Sequence, residues 1–168
     1  EKYMEDAIKD NIGDKEIQAA SIMVDSNTGG IIALTGGTNY SKSQFNRATQ
    51  AKRQVGSTMK SFLYYAALEN NFVSSTTFSS EKTTFNLSKD NSYTPQNYGD
   101  IYANKDISMA SAIALSDNVY AIKTHLFLGE NVMIDTAYKM GIKTKLEPIA
   151  SLPLGTTELN ILEITNES

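Results

Sequence analysis

The chain contains no cysteine. Zinc ribbons, thiol chemistry and a disulfide framework are therefore excluded. The absence also fits life outside the reducing cytosol. Histidine occurs once, at position 125. Any Ser-His-Asp arrangement would have to use His125, and its place beside Leu126 and Phe127 points to packing instead. No apolar run approaches the roughly 20 residues needed to span a bilayer. No signal peptide is visible, and no internal repeat is found. Long basic runs are missing and the net charge is -4, which argues against a nucleic-acid partner.

What remains is 168 residues, 40% of them hydrophobic, enough for one domain with its own core. The chain opens on Glu1 without an initiator methionine, and it closes at Ile164-Thr165-Asn166-Glu167-Ser168 in what reads as helix. The expectation is a fragment or an excised domain.

Taken in order, residues 1–11 read as a helix with Met4, Ala7 and Ile8 on one side and Gly13 as the stop. Residues 18–25 and 31–35 read as two strands of a hairpin joined by Ser26-Asn27-Thr28-Gly29-Gly30. A polar loop spans residues 38–52. From Phe72 to Lys105 the composition favours short strands and loops, with Pro95 in an extended stretch. Asp106 is placed as the cap of a helix through Ile107, Ala110, Ile113 and Ala114. A break at residues 116–118 precedes a second helix through Val119, Ile122 and Leu126, stopped at Gly129. A third helix covers about residues 131–140 and stops at Gly141. Thr157 is placed as the cap of a last helix.

The most informative stretch is Gly56-Ser57-Thr58-Met59-Lys60 with the helix that follows. Apolar residues recur at Met59, Phe62, Leu63, Ala66 and Ala67, the spacing of a buried helix face. Ser57 and Lys60 then lie about one turn apart on one side. A serine hydroxyl is a weak nucleophile until a base takes its proton. A lysine can be that base when burial or a second cation lowers its pKa. At the helix start, free N–H groups also favour developing negative charge. The string alone is common, and by itself a capping serine with a lysine reaching solvent explains it better. Ser116-Asp117-Asn118 is a second polar triplet, placed between two helices. Its serine can relay a proton and its asparagine can both donate to and accept from a peptide. On its own it is also a good helix cap.

Together, Ser57-x-x-Lys60 and Ser116-Asp117-Asn118 resemble the motifs of the penicillin-recognising serine enzymes. The context resembles more narrowly the transpeptidase domain of class A, bifunctional penicillin-binding proteins. Residues 19–34 look like that family's opening hairpin. Phe45-Asn46-Arg47-Ala48-Thr49-Gln50 and Arg53-Gln54-Val55-Gly56-Ser57 look like its approach to the nucleophile. Pro95-Gln96-Asn97-Tyr98 resembles its middle segment, and Leu152-Pro153-Leu154-Gly155 with Glu158 resembles the stretch after its second motif.

The resemblance implies an α+β fold, an antiparallel sheet flanked by helices. It makes residues 1–168 the N-terminal portion of the domain, with the sheet incomplete. It implies cross-linking of peptidoglycan stem peptides ending in D-Ala-D-Ala, and trapping by β-lactams. By motif, Ser57 is the acylated nucleophile and Lys60 its base. Ser116 passes a proton towards the leaving amine, Asn118 holds the substrate amide, and the Ser57 backbone N–H is half of the oxyanion hole. No cofactor and no metal is implied. The parent protein is expected to be membrane-anchored, with this domain on the outer face of the bacterial cytoplasmic membrane.

One departure matters. The family's third motif, Lys-Thr/Ser-Gly, is absent, and Lys143-Thr144-Lys145 lacks the glycine. The expectation is a C-terminal part carrying that motif, as another chain or beyond this one. Without it the hairpin keeps an open edge, and the isolated 168 residues should not be acylated by a fluorescent penicillin. Ser61 also stands where the family often has proline. A class A β-lactamase and a catalytically silent penicillin sensor or scaffold are the other readings. Glu147-Pro148 resembles the deacylating glutamate of the former, though an ordinary loop fits better. Arg47 and Arg53 are read as structural, and Tyr64 and Tyr65 as packing.

Overall fold

The computed structural model describes residues 2–12, 17–88 and 91–165. In chain order its elements are α1 (Lys2–Ile12), β1 (Ser21–Val24), β2 (Ile31–Thr35), β3 (Arg53–Gln54), α2 (Lys60–Glu69), β4 (Thr77–Ser80), β5 (Phe85–Ser88) and β6 (Asn91–Tyr93). β7 (Lys105–Ser108), α3 (Met109–Leu115), α4 (Asn118–Leu128), α5 (Glu130–Lys139), β8 (Glu158–Leu159) and α6 (Ile161–Thr165) follow. Short 3-10 turns at Gly56–Met59, Tyr98–Asp100 and Leu152–Leu154 complete the list. Helices mix with antiparallel strand pairs, so the fold is α+β. Among the described residues no sheet exceeds two strands. No described helix is long and apolar enough to cross a membrane. The chain divides into two compact units.

The first unit gathers residues 1–54, 140–144 and 158–168. Its β1–β2 hairpin pairs Ser21 with Thr35, Ile22 with Leu34, Met23 with Ala33 and Val24 with Ile31, with a bulge between Met23 and Val24. The turn closes because the Asp25 carboxylate accepts the N–H groups of Asn27 and Thr28. Those bonds hold its pKa below the usual carboxylate range. Met23 and Ile32 stay exposed, and among the described residues the hairpin pairs with no third strand. The expected helix stop at Gly13 and the last residues, 166–168, lie outside the described residues.

Asn160, not Thr157, caps α6: its Oδ1 accepts the Glu163 N–H at 2.8 Å. The two residues Glu158 and Leu159 pair with Gln54 and Arg53 as β8 and β3, which moves the helix start downstream of the expected cap. The Glu163 carboxylate in turn accepts the N–H groups of Lys143 and Thr144 and the Thr144 hydroxyl. The nearest string to a Lys-Thr-Gly motif is thereby tied into a loop.

The second unit holds residues 55–139 and 145–157. Its core is the packing of α2, α4 and α5. Met59, Phe62, Leu63, Ala66 and Ala67 are all fully buried, the stripe that the sequence spacing predicts. Each large member of that stripe stabilises the unit by about 1.5–3 kcal/mol. α4 is buried almost all round, through Val119, Tyr120, Ala121, Ile122, Thr124 and His125, as befits a central helix. Phe78 on β4 meets Tyr120 edge-on, with centroids 5.3 Å apart.

The cap expected at Asp106 is corrected. Residues 105–108 form β7, pairing Ile107 with Phe78 and Ser79 with Asp106. The helix starts only at Met109, and its cap is Ser108, whose side chain accepts the Ser111 N–H. Strand pairing and burial of Ile107 outweigh the capping signal of Asp106.

Candidate active site

Ser57 stands in the 3-10 turn Gly56–Met59, which runs directly into α2. Gly56 enters that turn at φ 59°, a left-handed conformation that suits glycine. Gly155, at φ 71°, comes so close that a side chain there would collide with the Gly56 backbone. The Gly56 N–H donates to the Gly155 carbonyl at 3.2 Å. The Leu152-Pro153-Leu154-Gly155 loop therefore braces the Ser57 turn.

Lys60 opens α2 and is only 4% exposed. Its Nζ donates three hydrogen bonds: to the Ser116 carbonyl at 2.7 Å, to Ser116 Oγ at 3.0 Å and to Asn118 Oδ1 at 2.6 Å. Three donors thus meet three acceptors. Burial nevertheless lowers the lysine pKa to about 8, opposed by the charge of Asp117. Ser116 Oγ donates onward to Ser57 Oγ at 3.1 Å. No hydrogen bond among the described residues joins Lys60 directly to Ser57. Ser57, Lys60, Ser116 and Asn118 are brought together, and the lysine reaches the first serine through the second.

The turn that delivers Ser116 is unusual. Ser116 is left-handed, at φ 52° and ψ 43°, a conformation disfavoured for a side chain with Cβ. It ends α3 with the Asp117 N–H on the Ala112 carbonyl at 2.9 Å and the Ser116 N–H on Ile113 at 3.1 Å. Asp117 then caps α4 through the Tyr120 N–H at 2.8 Å. Asn118 is the first residue of α4. Its amide nitrogen donates to the Gln96 carbonyl at 2.6 Å, which leaves Oδ1 for Lys60.

The other tempting residues lie in plain structural roles. His125 is fully buried, with Nε2 on the Ile149 carbonyl at 3.2 Å. Glu147 pairs with Lys145 at 2.7 Å on the surface. Arg47 donates to the Phe45 carbonyl and covers the Phe45 ring. Tyr64 is buried packing and Tyr65 is half exposed. Among the described residues no cluster could hold a metal ion. What sequence reasoning missed is the layer behind the site: Ser80, Asn97 and the buried Asp117. The aspartate is legible as a cap, but its partners are far away in the chain.

The family model of the penicillin binding protein transpeptidase domain matches residues 19–150. The chain belongs to that family. This penicillin-binding transpeptidase sequence is 47% identical over 152 residues to penicillin-binding protein 2D of Bacillus subtilis (strain 168), covering 90% of this chain and 22% of that protein. It is 34% identical over 152 residues to penicillin-binding protein 1A of Aquifex aeolicus (strain VF5), covering 89% of this chain and 20% of that one. The crystal structure of penicillin-binding protein 1A from Haemophilus influenzae superposes with a TM-score of 0.82 at 29% identity, over 88% of this chain and 22% of that chain. The transpeptidase chain spans about a fifth of the length of these relatives, at 22% and 20%. The family is the one that the paired serine motifs resemble, and the structural neighbour carries the same α+β fold.

Proposed function

We propose that this chain supplies the nucleophile, base and proton relay of a peptidoglycan D,D-transpeptidase, with Ser57 as the acylated serine. The observation that supports it is the relay Lys60 Nζ to Ser116 Oγ to Ser57 Oγ, at 3.0 and 3.1 Å. With a pKa of about 8, roughly a tenth of the lysine is neutral at pH 7. In that form it accepts the Ser116 proton, and Ser116 accepts the proton of Ser57. Ser57 Oγ attacks the carbonyl carbon of the penultimate D-Ala. The peptide C–N bond breaks, the relayed proton returns through Ser116 to the departing amine, and an acyl ester remains on Ser57. An acceptor amine then attacks the ester, forming the cross-link and freeing the hydroxyl. The Ser57 backbone N–H is assigned to the developing oxyanion, and Asn118 to the substrate amide. A β-lactam would enter the same path and stay as a slow ester.

The third-motif strand and its hydroxyl are assigned to a further segment of the protein, outside this sequence. Family membership supports a membrane-anchored parent and an extracytoplasmic location for this chain. The test is a fluorescent penicillin applied to the full-length protein, with mass spectrometry of the labelled peptide. The label is expected on Ser57 and should vanish in Ser57→Ala. A label on any other residue, or none, overturns the assignment.

A further inference from the structure

The left-handed turn at Ser116 must be held from outside, because its own backbone resists it. On the α4 side the holder is Asp117, which is 4% exposed. Its Oδ1 accepts the Tyr120 N–H, and its Oδ2 accepts the Ser80 hydroxyl and the Asn97 amide, the last at 2.8 Å. No cation forms an ion pair with it among the described residues.

Asn97 is the only one of these partners that also grips the residue after the turn. Its Oδ1 accepts the N–H of Asn118 at 2.8 Å and of Val119 at 3.4 Å. Its Nδ2 donates to Asp117 and to the Ile101 carbonyl at 3.1 Å. The preceding carbonyl, that of Gln96, takes the Asn118 amide. One short segment thus fixes Asn118 at its backbone and at its side chain. A carboxamide is needed, since the site demands a donor towards a carboxylate and an acceptor towards backbone N–H groups at once.

We propose that Asn97 is a positioning residue for acyl transfer: it locks the Ser116–Asn118 turn so that Ser116 Oγ and Asn118 Oδ1 stay on Lys60. The proposal rests on the functional reading above only for its effect on acylation rate. The cage around Lys60 is testable without it.

Two variants of the full-length protein decide the matter. Asn97→Ala is expected to slow acylation by a fluorescent penicillin by about 100-fold, the scale of a misplaced catalytic group. Lys60 should also become several-fold more reactive towards an acetylating reagent, read by peptide mass spectrometry against the exposed Lys139, as partial loss of a buried cage implies. Asn97→Asp keeps the shape but sets a second carboxyl against Asp117, so the two share a proton only at low pH. The ratio of its acylation rate to wild type should fall about tenfold between roughly pH 5.5 and 7.5. The other titratable groups facing Asp117 are Lys60 and Tyr64 on α2 and Tyr102 before β7. Burial pushes both tyrosines upward. Lys60, at about 8, gives wild type and variant the same slope below that value and so leaves their ratio flat. A new limb of the ratio in that window therefore belongs to the carboxyl pair.

An Asn97→Ala protein that melts cooperatively yet keeps both the wild-type acylation rate and the wild-type Lys60 reactivity overturns the proposal. If that variant does not fold, a flat rate ratio for Asn97→Asp overturns it instead. A wild-type protein that never labels Ser57 removes the transpeptidase reading, and Lys60 reactivity alone then decides.

Discussion

Lys60 and Ser116 meet twice, because the lysine amine holds both the backbone carbonyl and the hydroxyl of the serine, at 2.7 and 3.0 Å. The same contact orients the proposed proton path and pins the left-handed turn that presents Ser116.

Removal of the middle hydroxyl should separate these two roles. In Ser116→Ala the carbonyl contact survives and the relay does not. Acylation of Ser57 should fall by about 100-fold or more, the usual scale of a positioned acid–base group, with little change in melting temperature. Stopped-flow acylation and a thermal melt check both halves. A rate within a few-fold of wild type would mean that Lys60 reaches Ser57 unaided.

The lysine gives acylation a pH signature. Its folded pKa is lowered to about 8 from the ordinary 10.5 by burial. The rate should therefore rise with pH and level off above about 8. Between about 8 and 10.5 the unfolded chain holds a proton on this lysine that the folded chain has released. Stability contributed here thus rises with pH across that window. Lys60→Met should abolish acylation and remove that rise, measured as the difference between variant and wild-type urea midpoints at each pH.

The glycine brace is testable by contrast. Gly155→Ala adds a Cβ where the Gly56 backbone already lies. It should destabilise by about 1–3 kcal/mol, the cost of overpacking plus a disfavoured φ, and slow acylation because the Ser57 turn shifts. Gly129→Ala, at φ 94° and ψ 137° with open space around it, carries a backbone cost of about 1–3 kcal/mol of its own but should leave acylation alone. Equal effects of the two on acylation would remove Gly155 from the support of the site.

His125 should make the fold acid-sensitive. Burial lowers its pKa, and among the described residues Nδ1 has no hydrogen-bond partner. The folded chain keeps the ring neutral while the unfolded chain takes up a proton below about 6.5. Stability is therefore lost as pH falls through that value. His125→Gln should flatten the decline in melting temperature between roughly pH 7 and 5.

Much of this is legible in the sequence for a physical reason. The stripe from Met59 to Ala67 repeats at helical spacing, and each of its five named positions is buried. Gly129 and the Asn27–Gly30 turn announce themselves through backbone preference. The helix starts near Asp106 and Thr157 are misplaced by local reading because a cap competes with strand pairing to partners about 27 and 105 residues away in the chain. Asn97 enters the sequence reading only as part of a family string. Its importance comes from Asp117 and Asn118, some 20 positions later, and no local pattern encodes that meeting.

The backbone at position 116 would be more comfortable with glycine, yet glycine carries no hydroxyl. Selection for thermal robustness alone would therefore favour Ser116→Gly and yield sturdier but silent proteins. A stabilisation campaign on this scaffold needs an activity screen at that codon, since a melting curve would reward the wrong winner.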